Sequence, residues 1–214
     1  MNKKVLVSII VSIVALVGII MLLVFLNFEK KEKEEASKEY VVNDLSELFP
    51  SKAVKQTFKD GDNKYEVNIK SVDEKDGVIT IVSEYETVTD DVETTVETTY
   101  EITSDKITES GKYTANGSMV SIIYPTELIV GFPYVNMTWK SVDGLITNTV
   151  VSMKNNQVTI ESVRKTDIYE DGETNPTSKD LKETRVYEKG KGIVLYRSEI
   201  VGDKDSIYEK KLVK

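Results

Sequence analysis

Few residues in this sequence could act as a nucleophile or a general base. None of its 214 residues is His or Cys, which excludes Ser-His-Asp triads, HExxH zinc sites and thiolate chemistry. One S-x-x-K pattern joins Ser162 to Lys165, and such a pair could supply a serine nucleophile and a lysine base. That chemistry uses a helix, where residues three apart share a face, whereas the alternating residues here predict a strand. A strand turns the two side chains to opposite faces, so we predict no catalytic residue in this pattern.

Carboxylates are the remaining groups that could do chemistry. The chain has 36 Asp and Glu against 28 Lys and Arg, and a glycosidase needs only two carboxyl groups about 5–10 Å apart. Glu93, Glu97 and Glu101 follow one strand, where each lies about 13 Å from the next at roughly 3.3 Å per residue. This spacing favours a solvated strand face. Carboxylates on opposed strands could still converge, so a carboxylate-based hydrolase of cell-wall glycans stays open as the alternative function.

Two acidic segments, residues 60–63 and 73–76, carry the oxygen ligands that calcium prefers. The first lacks the glycine and the distal glutamate of an EF-hand loop, and Asp and Asn are common turn residues. We therefore expect turns at both places and neither a metal site nor another cofactor. The net charge of −8 argues against binding to nucleic acid, which needs a basic surface.

The longest apolar run covers residues 5–26 and follows the basic leader at residues 1–4. At about 1.5 Å per residue it would span roughly 33 Å as a helix, enough for a bilayer core of about 30 Å. Cleaved signal peptides have a shorter apolar core and small residues at its exit, whereas this run ends in Leu26-Asn27-Phe28. We therefore predict a retained transmembrane anchor over residues 5–28.

The flanking charges leave the orientation of this anchor nearly balanced, with Lys3 and Lys4 on one side and three lysines within residues 30–33 on the other. A short basic leader before an apolar core is the arrangement of an export signal. We therefore predict a single-pass protein of the cell membrane, with residues 1–4 cytoplasmic and the carboxyl-terminal domain extracellular. Residues 29–40 are densely charged and predict a stalk. Small residues that share one face of the anchor could support a weak homodimer: Ser8, Ser12, Ala15 and Gly18.

After the stalk, Asn43 or Asp44 could cap a short helix that ends at Pro50. Beyond it the apolar period changes to two, most clearly over residues 92–103, where Val, Thr and Tyr alternate with Glu and Thr. Residues 78–89 should pair with this strand across Asp90-Asp91. Further Gly, Asn and Asp pairs mark regularly spaced turns. The pattern predicts an all-β antiparallel meander sheet or a partly open barrel, preceded by one amino-terminal transmembrane helix.

The β domain also shows matches at an offset near 80 residues. Phe49-Pro50 returns as Phe132-Pro133, and Thr57-Phe58-Lys59 returns as Thr138-Trp139-Lys140. The order of the matches predicts two repeats, residues 41–123 and 124–214. Phe58 and Trp139 should then occupy equivalent inward positions, either as core residues or as rings that stack on a ligand.

Several motifs of the second half occur in the same order in a known group of proteins: Tyr124-Pro125, Gly131, Thr138-Trp139-Lys140, Arg185-Val186-Tyr187 and Gly190-Lys191-Gly192-Ile193-Val194. Over residues 124–200 the chain resembles the uncharacterised secreted and lipid-anchored surface β domains of Gram-positive bacteria. The lipid-bearing cysteine of that family has no counterpart here, and Gly131 lies farther from Trp139 than in the family pattern. The resemblance implies an antiparallel β domain at a cell surface and brings no catalytic residue with it.

Together these observations predict a membrane-anchored, extracytoplasmic and non-enzymatic binding module of the cell envelope. Its partners would be the membrane, through the amino-terminal helix, and a cell-wall polymer, an apolar ligand or another protein.

Overall fold

A computed structural model describes residues 39–89, 92–169 and 175–213 of the chain. The predicted leader, the anchor over residues 5–28, its small-residue face (Ser8, Ser12, Ala15, Gly18) and nearly all of the predicted stalk lie outside the described residues. Within the described part of the chain, no helix is long and apolar enough to cross a membrane.

Twelve antiparallel strands form a single sheet. In chain order they are β1 (Val54–Asp60), β2 (Asn63–Lys75), β3 (Val78–Thr89), β4 (Val92–Ile102), β5 (Lys106–Ala115), β6 (Ser118–Val130), β7 (Thr138–Lys140), β8 (Thr147–Lys154), β9 (Gln157–Ile168), β10 (Thr177–Glu188), β11 (Gly192–Ile200) and β12 (Tyr208–Leu212).

Consecutive strands pair with each other, except for β6 and β7, which lie at the two ends of the sheet, and β12 pairs with β1. The strand order is therefore β6-β5-β4-β3-β2-β1-β12-β11-β10-β9-β8-β7. Side chains from both ends of this order share one core, in which Ile81 and Ile107 join Val150, Ile160 and Tyr187. The sheet is thus curled into a nearly closed, barrel-like form, which confirms the predicted all-β antiparallel class.

The alternation that predicted the strands also sorts their side chains. On β4, Val96 and Ile102 are buried, whereas Glu93 and Glu101 are exposed on the other face. The predicted hairpin of β3 and β4 is confirmed, with Thr89 opposite Val92. Two-residue turns such as Asn116-Gly117, where φ is +47° and +76°, connect successive strands, because only residues that tolerate positive φ fit this tight reversal.

The segment before β1 spans the interior of the sheet. A 3-10 helix, Leu45–Leu48, is capped by Asp44, whose Oδ1 accepts a hydrogen bond of 2.8 Å from the Ser46 amide. The Phe49 ring then lies 5.0 Å from the Tyr100 ring on β4 and 6.1 Å from the Tyr187 ring on β10. Phe49 therefore joins the two sides of the curled sheet, and the short helix predicted here is confirmed.

Candidate functional site

The concave side of the sheet contains a cavity of about 100 Å³. Most of the residues that line this cavity are aromatic or aliphatic. They include Phe49, Phe58, Tyr65, Val67 and Tyr85, and Lys210 also lines the cavity. Among the described residues, no Asp or Glu lines this cavity. Such a composition suits the apolar part of a small molecule.

Strand register brings the aromatic rings of this cavity together. Phe58 on β1 lies opposite Tyr65 on β2, and their rings stack with centroids 5.8 Å apart and planes 19° apart. The Tyr65 ring also lies 5.6 Å from that of Tyr85 on β3. Three adjacent strands therefore contribute one continuous aromatic wall, since inward residues of paired strands are direct neighbours.

Gly192, the first residue of β11, forms part of the same cavity lining. Its φ of +80° lies in the left-handed region, and an added Cβ would come within 3.4 Å of the Phe49 ring. Glycine at this position lets β11 begin directly against Phe49. The short helix before β1 is thereby held against the cavity.

Two of the described lysines line the cavity, Lys191, which pairs with Glu188, and Lys210. Lys210 lies on β12 between Asp60 of β1 and Tyr196 of β11, and its Nζ is 5.2 Å from the centre of the Tyr196 ring. Burial lowers the pKa of the Lys210 amine, and the positive charge of Arg185 lowers it further, against the opposing effect of Glu109 and Asp60. Within the described residues, the side-chain ammonium of Lys210 forms neither an ion pair nor a hydrogen bond.

Arg185 approaches the same ring from β10, with its guanidinium carbon 5.4 Å from the ring centre. This side chain has partners: its Nη2 lies 3.4 Å from Glu183 Oε2, and its Nη1 donates to Ser162 Oγ at 3.4 Å. Burial lowers the pKa of Arg185, but the facing groups Tyr187, Glu183 and Glu109 outweigh it and hold that pKa above its ordinary value. Arg185 is therefore a neutralised, hydrogen-bonded cation.

Hydrogen bonds connect the group formed by Lys210, Arg185 and Tyr196 to residues that do not line the cavity. The Tyr196 hydroxyl donates to Glu183 Oε1 at 2.5 Å, and the Ser162 hydroxyl donates to Asn148 Oδ1 at 2.6 Å. Burial, together with the hydrogen bond to Glu183, raises the pKa of Tyr196 to about 12. Tyr196 therefore stays protonated near neutral pH and serves as a donor.

Tyr100 and Tyr187 both contact the Phe49 ring. Burial and the nearby Glu109 carboxylate raise the pKa of Tyr100 well above its ordinary value. Burial also raises the pKa of Tyr187, whose hydroxyl has no hydrogen-bond partner among the described residues. These two phenols are neutral interior groups, and Tyr187 has unused hydrogen-bonding capacity.

The structure separates the two aromatic residues selected from the sequence. Phe58 is buried and lines the cavity. Trp139, on β7, packs against the core elsewhere, and its Nε1 is buried without a hydrogen-bond partner among the described residues. Phe58 is thus a residue of the candidate site, and Trp139 is not part of the cavity lining.

The S-x-x-K pair also has the geometry expected of a strand. Ser162 is buried on β9, whereas Lys165 lies on the outer face with Nζ 2.8 Å from Asp180 Oδ1. On β4, the Glu97 carboxylate pairs with Lys112 at 2.9 Å. Neither feature brings a nucleophile or an acidic pair into the cavity.

Sequence reasoning missed Lys210, Arg185 and Tyr196. Lys210 lies within the charged run of residues 209–211, which looks like an exposed strand end. The usable signal is the alternation of Tyr208, Lys210 and Leu212, which places Lys210 on the same face as two amphipathic or apolar residues.

Comparison of the chain with protein-family models, with curated proteins and with solved structures found no match.

Proposed function

We propose that this domain is a non-enzymatic binding module that holds the apolar part of a small ligand inside the curled sheet. The observation that carries the proposal is the interior cavity, with its Phe58-Tyr65-Tyr85 wall and no carboxylate in its described lining. Burying apolar ligand surface against such a wall contributes roughly 25 cal/mol per Å².

The size of the cavity limits the ligand. Its volume of about 100 Å³ is below that of an engineered apolar cavity of about 150 Å³ that takes benzene, and below the roughly 300 Å³ of drug-sized sites. We therefore propose that a narrow alkyl segment enters, with the rest of the molecule directed toward the opening.

The alternative function, hydrolysis of cell-wall glycans, needs two carboxyl groups facing one bond. Glu183, whose Oε2 lies 3.4 Å from Arg185 Nη2, is already engaged by Arg185 and by the Tyr196 hydroxyl. The cavity therefore supports binding and gives no support to carboxylate catalysis.

The predicted anchor suggests where in the cell this domain would bind its ligand. We propose that residues 5–28 tether the domain to the outer face of the cell membrane, with residues 1–4 in the cytoplasm. An apolar ligand is concentrated in and near the bilayer, so a tethered domain would meet it there. Protease added to intact cells should then degrade the β domain and leave a membrane-bound fragment. Full protection of the domain would contradict this orientation.

We also propose that the sheet arose by duplication of six strands. The described topology has β1–β6 followed by β7–β12, with β1 and β12 joined. Phe58 and Trp139 lie on the first strand of each half, and both contact the interior. These positions support the proposed repeat. The last strand of the first half, β6, continues to Val130, so the boundary between the halves lies later than the one predicted after residue 123.

The ligand-binding proposal is tested on the full chain in lipid nanodiscs, with 3-fluorotyrosine incorporated and the Tyr65 and Tyr85 signals assigned by Tyr→Phe variants. Octanol is the probe. We expect saturable shifts of both signals, because these rings form the cavity wall. Val67→Trp should fill the cavity and abolish the shifts, whereas Val88→Trp, at an exposed position of β3, should preserve them. Absence of any saturable shift in the native chain would overturn the proposal.

A further inference from the structure

We propose that Lys210 binds the carboxylate of the ligand, so that the cavity takes a small amphipathic carboxylic acid, such as a medium-chain fatty acid. This inference rests on the proposed function and adds the chemical class of the ligand. The alkyl part would lie against Phe58 and Tyr65, and the acid group would face the Lys210 ammonium.

The first support is the missing partner of Lys210. Two lysines on the outer face show the contrast: Lys112 Nζ lies 2.9 Å from Glu97, and Lys182 Nζ lies 2.8 Å from Glu199. Lys210 is directed inward and has no such partner among the described residues. A largely buried ammonium without a counter-ion is costly, so a site of this kind favours an anion.

The second support is the position of the ammonium beside the apolar wall. Lys210 lines the same cavity as Phe58, Tyr65 and Tyr85. The Tyr196 ring supports the cation from one side through a contact of 5.2 Å. A carboxylate at Nζ would therefore leave its alkyl chain directed along the aromatic wall, as an amphipathic acid requires.

The surrounding charges limit the anion to a single negative charge. Arg185 pairs with Glu183, whereas Lys210 has no ion pair within the described structure. Glu109 and Asp60 contribute negative potential at Lys210. A monocarboxylate matches one ammonium, whereas a doubly charged phosphate would meet repulsion from these two side chains.

The positive charges of Lys210 and Arg185 disfavour a cationic amphiphile. The groups that face Lys210 are Arg185 on β10, Tyr196 on β11, Asp60 on β1 and Glu109 on β5. A ligand ammonium at this place would lie beside two cations, Lys210 and Arg185, and would be repelled by both. Octylamine therefore serves as a negative comparison for octanoate.

The test compares octanoate, octanol and octylamine on the same 3-fluorotyrosine protein, in nanodiscs of uncharged lipid. We expect the native chain to bind octanoate about tenfold more tightly than octanol, as one charge-assisted contact in a shielded site provides. Lys210→Met should lose this preference while still binding octanol. Lys211→Met, which removes the outward-facing neighbour on the same strand, should keep it.

A second measurement needs no substitution. The pKa of the Lys210 amine, followed by carbon NMR of labelled lysine side chains, should rise when octanoate binds and stay unchanged with octanol. Equal affinities for octanoate and octanol, with an unmoved Lys210 pKa, would overturn the carboxylate assignment and leave the cavity function standing. Failure of all three probes to shift Tyr65 and Tyr85 would overturn the binding function itself.

Discussion

Arg185 on β10 and Lys210 on β12 flank the Tyr196 ring of β11 from its two sides. Of these two side chains, only that of Arg185 has an ion pair and a hydrogen bond among the described residues. Its guanidinium reaches Glu183 and Ser162, and Tyr196 completes the group by donating to Glu183. The Lys210 ammonium has the ring alone. Burial lowers the pKa of both side chains, but Tyr187 and Glu183 outweigh it at Arg185, so the pKa of Arg185 is raised and that of Lys210 is lowered.

The difference separates a structural cation from a binding cation. A buried charge that is fully compensated by its own chain stabilises one arrangement of the strands and has little left to offer a ligand. A buried charge that lacks compensation costs stability in the free protein, and this cost is relieved when an anion binds. Residues retained at such a cost are candidates for function.

The largest expected effect comes from removing the compensated cation. Arg185→Met should lower the free energy of unfolding by about 3–5 kcal/mol, because it leaves Glu183 inside the sheet without its cation. Urea unfolding of the full chain measures this. Arg197→Met, which removes a half-exposed arginine paired with Glu199, is the matched control and should cost no more than about 1 kcal/mol. Equal losses in the two variants would refute the structural role of Arg185.

Tyr196→Phe should have the next largest effect. It removes the hydroxyl that donates to Glu183 at 2.5 Å and keeps the ring that contacts both cations. Loss of a hydrogen bond to a charged acceptor costs about 1.5–3 kcal/mol. Octanoate binding should be preserved, because Lys210 and its ring contact remain. A variant that keeps its stability but loses octanoate would show that the hydroxyl contacts the ligand instead of supporting the strands.

Lys210→Met should act in the opposite direction and stabilise the free protein, by about 1 kcal/mol. The substitution replaces an uncompensated charge with an apolar chain of similar length, which buried sites favour. The gain should disappear when octanoate is present, since only the native chain is then stabilised by the ligand. Destabilisation of the ligand-free protein by Lys210→Met would mean that the amine has a structural partner.

Much of the fold could be predicted because its signals are local. The alternation on β4, the Asn116-Gly117 turn and the Asp44 cap each depend on a few adjacent residues, and all three have the expected structure. The joining of the two halves into one sheet depends on β1 pairing with β12, about 150 residues away, where Phe58 lies opposite Leu212. No local pattern specifies such a pairing, because either strand could have ended as a sheet edge.

The candidate site was predictable only in part for the same reason. Phe58 could be selected because Thr57-Phe58-Lys59 returns as Thr138-Trp139-Lys140, which predicts inward positions for both aromatic rings. The significance of Lys210 depends on groups from three other strands: Asp60 on β1, Glu109 on β5 and Arg185 on β10. Whether a lysine has a partner is a property of the assembled sheet. A charged run such as residues 209–211 has the same composition whether its middle member faces water or the interior.

The smallest effect is a pH dependence that distinguishes the two cations directly. Below its lowered pKa, Lys210 is protonated in both the folded and unfolded chains, and the full free-energy cost of burying its charge lowers the stability of the folded protein. Between that pKa and the ordinary value of 10.5, the unfolded chain binds more protons than the folded one, so stability rises with pH. The advantage of Lys210→Met should therefore shrink as pH rises through this window.

Arg185 gives the internal control for that experiment. Its pKa lies above the ordinary arginine value, so it keeps its charge throughout the same window, and the cost of Arg185→Met should stay constant with pH. Tyr196 deprotonates near 12 in the folded chain and at a lower pH in the unfolded chain, which lowers stability above about pH 10 in every variant that retains it. Differences between variants, measured by urea unfolding from about pH 7 to 10, remove this common slope. A pH-independent advantage of Lys210→Met would show that the amine is compensated within the chain, and the distinction between the two cations would then be lost.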